Sequence, residues 1–147
     1  TTAGEGTAVG DGSLAANTTG ALNSAFGAQT LAACTTGGSN TAIGGYAMQA
    51  CTTGVTNVAV GANALRASTT AHYNTAIGEH SLRGCTTGEY NTAVGQLSMG
   101  GATHTGNFNT AVGRSAGNSL TSGSSNVFLG GFVSTYFLQT FFLNIFS

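Results

Sequence analysis

The stretch that decides the fold is residues 40–56, which read NTAIGGYAMQACTTGVT. Nearly the same stretch returns at residues 74–90 as NTAIGEHSLRGCTTGEY, and a weaker match, NTAVGRSAGNSLTSGSS, fills residues 109–125. Working outward from these, the chain aligns into eight blocks that begin at Gly6, Asn23, Asn40, Asn57, Asn74, Asn91, Asn109 and Asn126. The spacing between block starts is constant, except that one residue is inserted near Gly106. A fixed period of this kind predicts a fold made of stacked copies of one unit.

The length of the unit argues against helical repeats, because a pair of helices needs about 33 residues or more. Each block is also rich in Gly and Thr, which are poor helix formers. Segments such as T-A-I-G and A-L-x-x-C-T-T are typical of short strands joined by Gly or Asn turns. The sequence therefore predicts an all-β chain in which residues 1–131 form a parallel β-solenoid of about eight coils. Neighbouring coils would lie about 4.8 Å apart, in a rod roughly 35–40 Å long.

In such a solenoid, each position of the block, numbered from 1 to 17, becomes a ladder of like side chains. Position 4 is always apolar and, together with Leu or Met at position 9, is expected to form the core; it holds Val9, Phe26, Ile43, Val60, Ile77, Val94, Val112 and Leu129. Position 5 is always glycine, as expected at a turn that needs positive φ or has no room for a side chain; it holds Gly10, Gly27, Gly44, Gly61, Gly78, Gly95, Gly113 and Gly130.

Two further ladders consist of small or polar residues. Asn at position 1 is expected at a corner, because Asn tolerates the left-handed region and hydrogen-bonds locally. The row of Ala at position 3 predicts a face, called the alanine wall, that packs so closely against its neighbour that no larger side chain fits. Either another face of the same thin coil or a second chain could form the other side of that wall.

The composition excludes several classes of protein. Only 5% of the 147 residues are charged, and the three cations are all arginines, so a nucleic-acid partner is not expected. The absence of Pro excludes collagen, and the low net charge argues against disorder. No charged-then-apolar leader follows Thr1. Because each coil offers few large apolar side chains, we expect several coils to pack side by side, with a homotrimer as the preferred assembly.

The blocks beginning at Asn40, Asn74 and Asn109 resemble the repeats of tail-fibre-like proteins of phages and bacteria. These repeats are similar in turn to the head repeats of trimeric autotransporter adhesins, with which they share the motif A-[IV]-G-x-x-[AS]. The resemblance covers roughly residues 1–131. It implies a left-handed β-roll, three chains side by side, and a stalk or adhesive head at a cell surface, on a virion or outside the cell. It implies no catalytic residues; such fibres often continue into a self-cleaving chaperone domain, which is not expected within these 147 residues.

The repeat stops after Gly131 and leaves an irregular aromatic tail, FVSTYFLQTFFLNIFS, at residues 132–147. Three interpretations stay open: a membrane helix, a strand or hairpin that caps the last coil, and a strand donated to the next subunit. A membrane helix is the weakest of these, because Gln139 and Asn144 interrupt the run and no basic residues flank it. Thr1 and Thr2 fall in mid-coil, so a donated tail would allow end-to-end filaments. The residues expected to contact the next subunit are Phe132, Tyr136, Phe137, Phe141 and Phe142.

No group of residues in the sequence predicts a catalytic site, a cofactor site or a metal site. Cys34, Cys51 and Cys85 share position 12, where buried free thiols are favoured over a disulfide between the first two. The three histidines fall at different block positions, and no Cys-x-x-Cys motif is present. Arg66 and Arg83 share position 10, where we expect either exposure or a bound anion.

The threonine ladders at positions 2, 13 and 14 suggest an alternative function. Flat Thr arrays on β-solenoids resemble ice-binding faces, although Thr is also simply a good strand residue. Asn17 begins the chain's one N-glycosylation pattern, Asn17-Thr18-Thr19. The sequence as a whole predicts a structural, self-assembling extracellular fibre or adhesive subunit without catalytic activity, with cell-surface glycans as a further partner. Ice binding through the Thr ladders is the alternative.

Overall fold

A computed structural model describes residues 4–131, and these form a parallel β-solenoid of about 7 turns without any helix. Each coil contributes one strand of three residues to a single sheet, in which the strands follow one another in chain order. The strands are β1 (Thr7–Val9), β2 (Ser24–Phe26), β3 (Thr41–Ile43), β4 (Val58–Val60), β5 (Thr75–Ile77), β6 (Thr92–Val94), β7 (Thr110–Val112) and β8 (Val127–Leu129). The tail at 132–147, with its expected subunit contacts, lies outside the described residues.

The register of the sheet follows the block alignment at every step. Ala42 pairs with Ala59, and Ala59 pairs with Ala76, each one full block further along the chain. Ala93 pairs with Ala111 although the inserted residue lies between these two in the sequence. The inserted residue is instead accommodated near His104, which forms an isolated parallel bridge with Cys85. Equal block positions are therefore stacked along the whole rod.

The interior of the coil differs from the prediction at position 4. Ala at position 3 is fully buried from Ala25 to Ala111, and it lies in one core with the Leu and Met of position 9. The position 4 residues point outward: Val9 is 56% exposed, Ile43 42% and Leu129 67%. The predicted core ladder of Val9, Phe26, Ile43, Val60, Ile77, Val94, Val112 and Leu129 is therefore wrong, because successive strand residues face opposite sides and the alanine takes the inner side.

The narrow cross-section of the coil explains the preference for alanine. In the last coils, position 9 is Gly117, and position 3 of the next coil is the buried Phe128. A Cβ atom on Gly117 would come within 2.9 Å of the Phe128 ring and 3.1 Å of Met99 Cγ. The large side chain at position 3 thus occupies space that a Leu at position 9 fills elsewhere. The alanines therefore pack against another face of the same thin coil, which is the first of the two alternatives given for the alanine wall.

The coil turns at positions 7, 9 and 17, where the backbone is left-handed even when the residue has a side chain. Leu65 has φ 50° and Tyr90 has φ 57°, conformations that cost L-residues about 1–2 kcal/mol each. Hydrogen bonds between coils hold these residues, such as the 3.0 Å bond from Leu65 N to Ser81 O. The glycines of position 5 also have positive φ; in Gly61 it is 134°, and a Cβ atom there would lie 2.6 Å from the carbonyl of Gly78. No other residue fits this turn without displacing the next coil.

The asparagines of position 1 are interior residues, which corrects their interpretation as corner residues. From Asn23 to Asn109 they are buried, and none of them has positive φ. Both Asn57 N and Asn57 Nδ2 donate to Asn40 Oδ1, at 3.0 and 3.1 Å. Asn57 Nδ2 also donates to Ala71 O at 2.9 Å, across its own coil. The ladder therefore satisfies buried backbone groups in each coil and joins each coil to the next.

Candidate functional site: the outer surface of the solenoid

The outward face of the sheet carries a continuous row of apolar side chains. We call this row the apolar stripe: Val9, Phe26, Ile43, Val60, Ile77, Val94, Val112 and Leu129. Half-buried residues of position 2, mostly threonines, run beside it, and no charged residue occurs in any of the eight strands. The stripe spans seven steps of about 4.8 Å, or about 34 Å. An uncharged surface of this length is unusual for a soluble chain that stays alone.

A second surface feature lies at position 17, where three aromatic rings are stacked. We call Tyr73, Tyr90 and Phe108 the aromatic column. The ring centroids of Tyr73 and Tyr90 are 4.9 Å apart with planes inclined by 12°, and those of Tyr90 and Phe108 are 5.0 Å apart with planes inclined by 6°. All three rings are exposed, by 47%, 46% and 59% in chain order. This column was not predicted from the sequence, although its three residues share one block position and a comparison of that position across blocks would reveal them.

Polar side chains of neighbouring coils form a short row at position 6. Gln96 Nε2 donates to Glu79 Oε2 at 2.9 Å, and Arg114 Nε donates to Gln96 Oε1 at 3.2 Å. These hydrogen bonds lie at the exposed surface, so the row contributes little to stability.

Arg66 and Arg83 of position 10 are also exposed, as one of the two expectations had it. Arg66 Nε donates to Gln49 Oε1 at 3.1 Å, and its guanidinium lies 5.6 Å from the centre of the Tyr46 ring. These contacts satisfy Arg66 within the chain.

The three cysteines are buried free thiols. Cys34 and Cys51 lie on adjacent coils; a hydrogen bond from Cys51 lowers the pKa of Cys34, while the same bond and burial raise the pKa of Cys51. Burial raises the pKa of Cys85 to about 12. The raised pKa values keep Cys51 and Cys85 neutral, and neutral thiols are poor nucleophiles.

The histidines have separate environments. His72 Nδ1 accepts a hydrogen bond from Val55 N at 3.0 Å, and His80 Nε2 lies 3.6 Å from Glu79 Oε1 on the surface. His104 is fully buried, and burial lowers its pKa, a shift that the backbone of Leu120 and of Gly106 beside its ring partly opposes. Among residues 4–131, no three His, Cys, Asp or Glu side chains lie together as a possible metal site.

The remaining candidates are Asn17 and the threonines. The side-chain amide of half-buried Asn17 is engaged with Gly20, donating from Nδ2 to Gly20 O and accepting from Gly20 N, both at 2.9 Å. The position 13 threonines use their hydroxyls within the chain, as in the 3.1 Å bond from Thr52 Oγ1 to Thr69 O. The position 14 threonines, such as Thr53, are exposed.

Two negative findings complete the description of the surface. Within the described range 4–131 there is no helix with the length and apolar character needed to cross a membrane. Comparison of the chain with protein-family models, with curated proteins and with solved structures gives no match. The site is therefore interpreted from its own geometry.

Proposed function

We propose that this chain is a structural subunit that associates side by side with copies of itself through the apolar stripe, as part of an extracellular or virion fibre. The observation that carries the proposal is the uninterrupted outward row of Val, Ile, Phe and Leu side chains on the sheet. The resemblance to tail-fibre repeats supports the same assignment, and no catalytic activity is included in it.

The period of the stripe favours a second copy as the partner. Its side chains recur once per coil, and a parallel copy presents the same spacing, so the two rows can interdigitate along their whole length. A side chain that is about 40% exposed, such as Ile77, gains on the order of 1 kcal/mol on burial. Six of the eight residues are at least this exposed, all but the half-buried Val60 and Val94, so two chains together gain about 12 kcal/mol, against an association cost of about 4–15 kcal/mol. Burial of the stripe is therefore comparable with the cost of association, and we propose three chains around a common axis.

The proposal is tested by adding a charge to the stripe. We expect the 14.4 kDa wild-type chain to sediment as a multimer, and Ile77→Glu to sediment as a monomer with an unchanged circular dichroism spectrum. Thr53→Glu adds the same charge at an exposed position away from the sheet and serves as the control. If Ile77→Glu does not fold, Val60→Thr, a milder polar substitution in the apolar stripe, takes its place in the same sedimentation experiment. A wild-type chain that stays monomeric at high concentration would refute the proposal.

Ice binding is a second candidate, favoured by one observation. The outward face of each strand pairs a position 2 residue, usually Thr, with an apolar residue at position 4, in a regular uncharged array. Thermal hysteresis and ice shaping by the purified chain would support this candidate. A fibre subunit without this activity is expected to show neither effect.

A further inference from the structure

We propose that the Phe108 end of the aromatic column is a binding site for a neutral sugar ring, which stacks on Phe108 in the space above Ser125. This site is separate from the apolar stripe, and the inference does not depend on the proposed self-association.

The residues of position 17 are equivalent in backbone and direction. Tyr73, Tyr90, Phe108 and Ser125 have φ between 57° and 60°. Each of them donates its backbone N–H to the carbonyl oxygen of position 16 in the preceding coil, at 2.9–3.2 Å. Their side chains therefore leave the rod in the same direction, one above the next. The column ends where the next residue lacks a ring.

The ends of the column are the places where a ring face is open. Inside the stack, Tyr90 is covered on one face by Tyr73 and on the other by Phe108. The next residue beyond Phe108 is Ser125, whose small side chain leaves the second face of the Phe108 ring uncovered. The greater exposure of Phe108, 59% against 46% for Tyr90, agrees with this. The open space is one coil high, about 4.8 Å, which accommodates one more stacked ring.

The groups around this open face select a neutral, hydroxyl-bearing ring. Asn107 N donates to Ser124 Oγ at 3.0 Å, and Asn107 Oδ1 accepts from Glu89 N at 2.8 Å. The Asn107 amide is thus directed towards the coil of Tyr90, whereas the hydroxyl protons of Ser124 and Ser125, in the coil on the open side of Phe108, have no acceptor among the described residues. Hydrogen-bond donors beside an aromatic face suit a pyranose, whose C–H bonds stack on the ring while its hydroxyls accept hydrogen bonds.

The other end of the column is less suited to the same ligand. There Tyr73 faces Thr56, and its neighbour His72 packs against the Tyr73 ring with centroids 6.2 Å apart. His72 also uses its Nδ1 to accept a hydrogen bond from Val55. The Tyr73 ring is accordingly less exposed than the Phe108 ring, 47% against 59%, and the Phe108 end is the site.

The test uses one substitution at two equivalent positions. Ser125→Leu should cover the open face of Phe108 without adding a ring, as Leu22 shows that position 17 accepts Leu, whereas Ser39→Leu, two coils before Tyr73, should leave both column ends open. The probes are cellohexaose, maltohexaose and mannohexaose, measured by saturation-transfer NMR and calorimetry. We expect at least one of them to bind wild type and Ser39→Leu equally, and Phe108→Ala and Ser125→Leu about tenfold more weakly or not at all.

Three outcomes would overturn the inference: no binding of any probe to wild type, equal binding to wild type and Ser125→Leu, or binding of a planar aromatic dye such as thioflavin T without any saccharide. Sedimentation of the same samples separates this inference from the proposed function. A wild-type chain that binds sugar as a monomer would refute the assembly alone. A multimer that binds no saccharide would refute the sugar site alone.

Discussion

Replacement of one interior asparagine by alanine tests whether the position 1 ladder holds the coils together. In Asn57→Ala, the backbone N–H of Asn74 loses its acceptor, which lies at 2.9 Å, and the carbonyl of Ala71 loses its donor, also at 2.9 Å. Both groups are buried. Each buried group left without a partner costs about 1–3 kcal/mol, so we expect a loss of about 2–6 kcal/mol in the free energy of unfolding.

The same substitution at the end of the ladder is the control. Asn126 Oδ1 accepts no hydrogen bond from a described residue, and Asn126 is only half-buried. In Asn126→Ala, Asn109 Oδ1 keeps the hydrogen bond from the backbone N of residue 126, at 3.0 Å, and loses only that from Nδ2. We therefore expect Asn126→Ala to cost about 0.5–1.5 kcal/mol.

Urea unfolding followed by circular dichroism measures both variants, and hydrogen exchange of the Asn74 amide measures the local effect. Exchange at this amide should accelerate in Asn57→Ala and stay unchanged in Asn126→Ala. Equal losses of stability in the two variants would refute the reasoning. They would show that the hydrogen bonds from each asparagine to the next coil add nothing to the stability beyond what any asparagine side chain at this position adds.

Three further predictions concern the turns and the buried titratable groups. Gly61→Ala should lower the free energy of unfolding by about 3 kcal/mol, because the new Cβ atom would lie 2.6 Å from the Gly78 carbonyl at a φ of 134°. In the control Gly45→Ala, the new Cβ atom meets nothing closer than 3.9 Å, so urea unfolding should show almost no change in stability. Burial raises the pKa of Cys85 from its ordinary 9.0 to about 12, so between these pH values the folded state keeps a proton that the unfolded state releases. The stability contributed by this group is therefore present below pH 9.0 and is lost as the pH rises towards 12. Melting curves recorded across this pH range should show a smaller loss of stability in Cys85→Ala than in wild type. Burial lowers the pKa of His104 below its ordinary 6.5, so the stability contributed by this group is present above pH 6.5 and is lost as the pH falls through the lowered pKa. Melting curves of His104→Leu should not show this loss of stability at low pH. If the loss is unchanged in His104→Leu, it arises from other groups.

The coil and its register could be predicted from the sequence because both follow from a single property, the constant period of the blocks. In a parallel stack, every residue lies next to its equivalent one period later, so the pairings of Ala42 with Ala59 and of Ala59 with Ala76 are implied by the repeat itself. The inserted residue near Gly106 does not disturb this, because it lies in a turn segment and the strands on either side keep their pairing.

The side of the strand that faces inward was predicted wrongly, and the reason is steric. A short strand such as Thr41–Ile43 has one central residue on one face and two flanking residues on the other. Hydrophobicity favoured Ile43 for the interior, but the space beside the position 9 side chain accommodates only Ala42. The paired change to Gly117 and Phe128 is a signal in the sequence that could have identified the inner position.

The sequence by itself determined that the chain is a stacked β-solenoid with one coil per block and equal residues in columns. Only the tertiary structure decided which columns are inside, because that depends on the width of the closed coil and on the left-handed turns at positions 7, 9 and 17, which occur even at Leu and Tyr residues that do not favour them. It also decided that Asn57 and its equivalents are buried cross-links and that Tyr73, Tyr90 and Phe108 are stacked at the surface. Both outcomes arise from contacts between coils, and a single block contains no information about its neighbours.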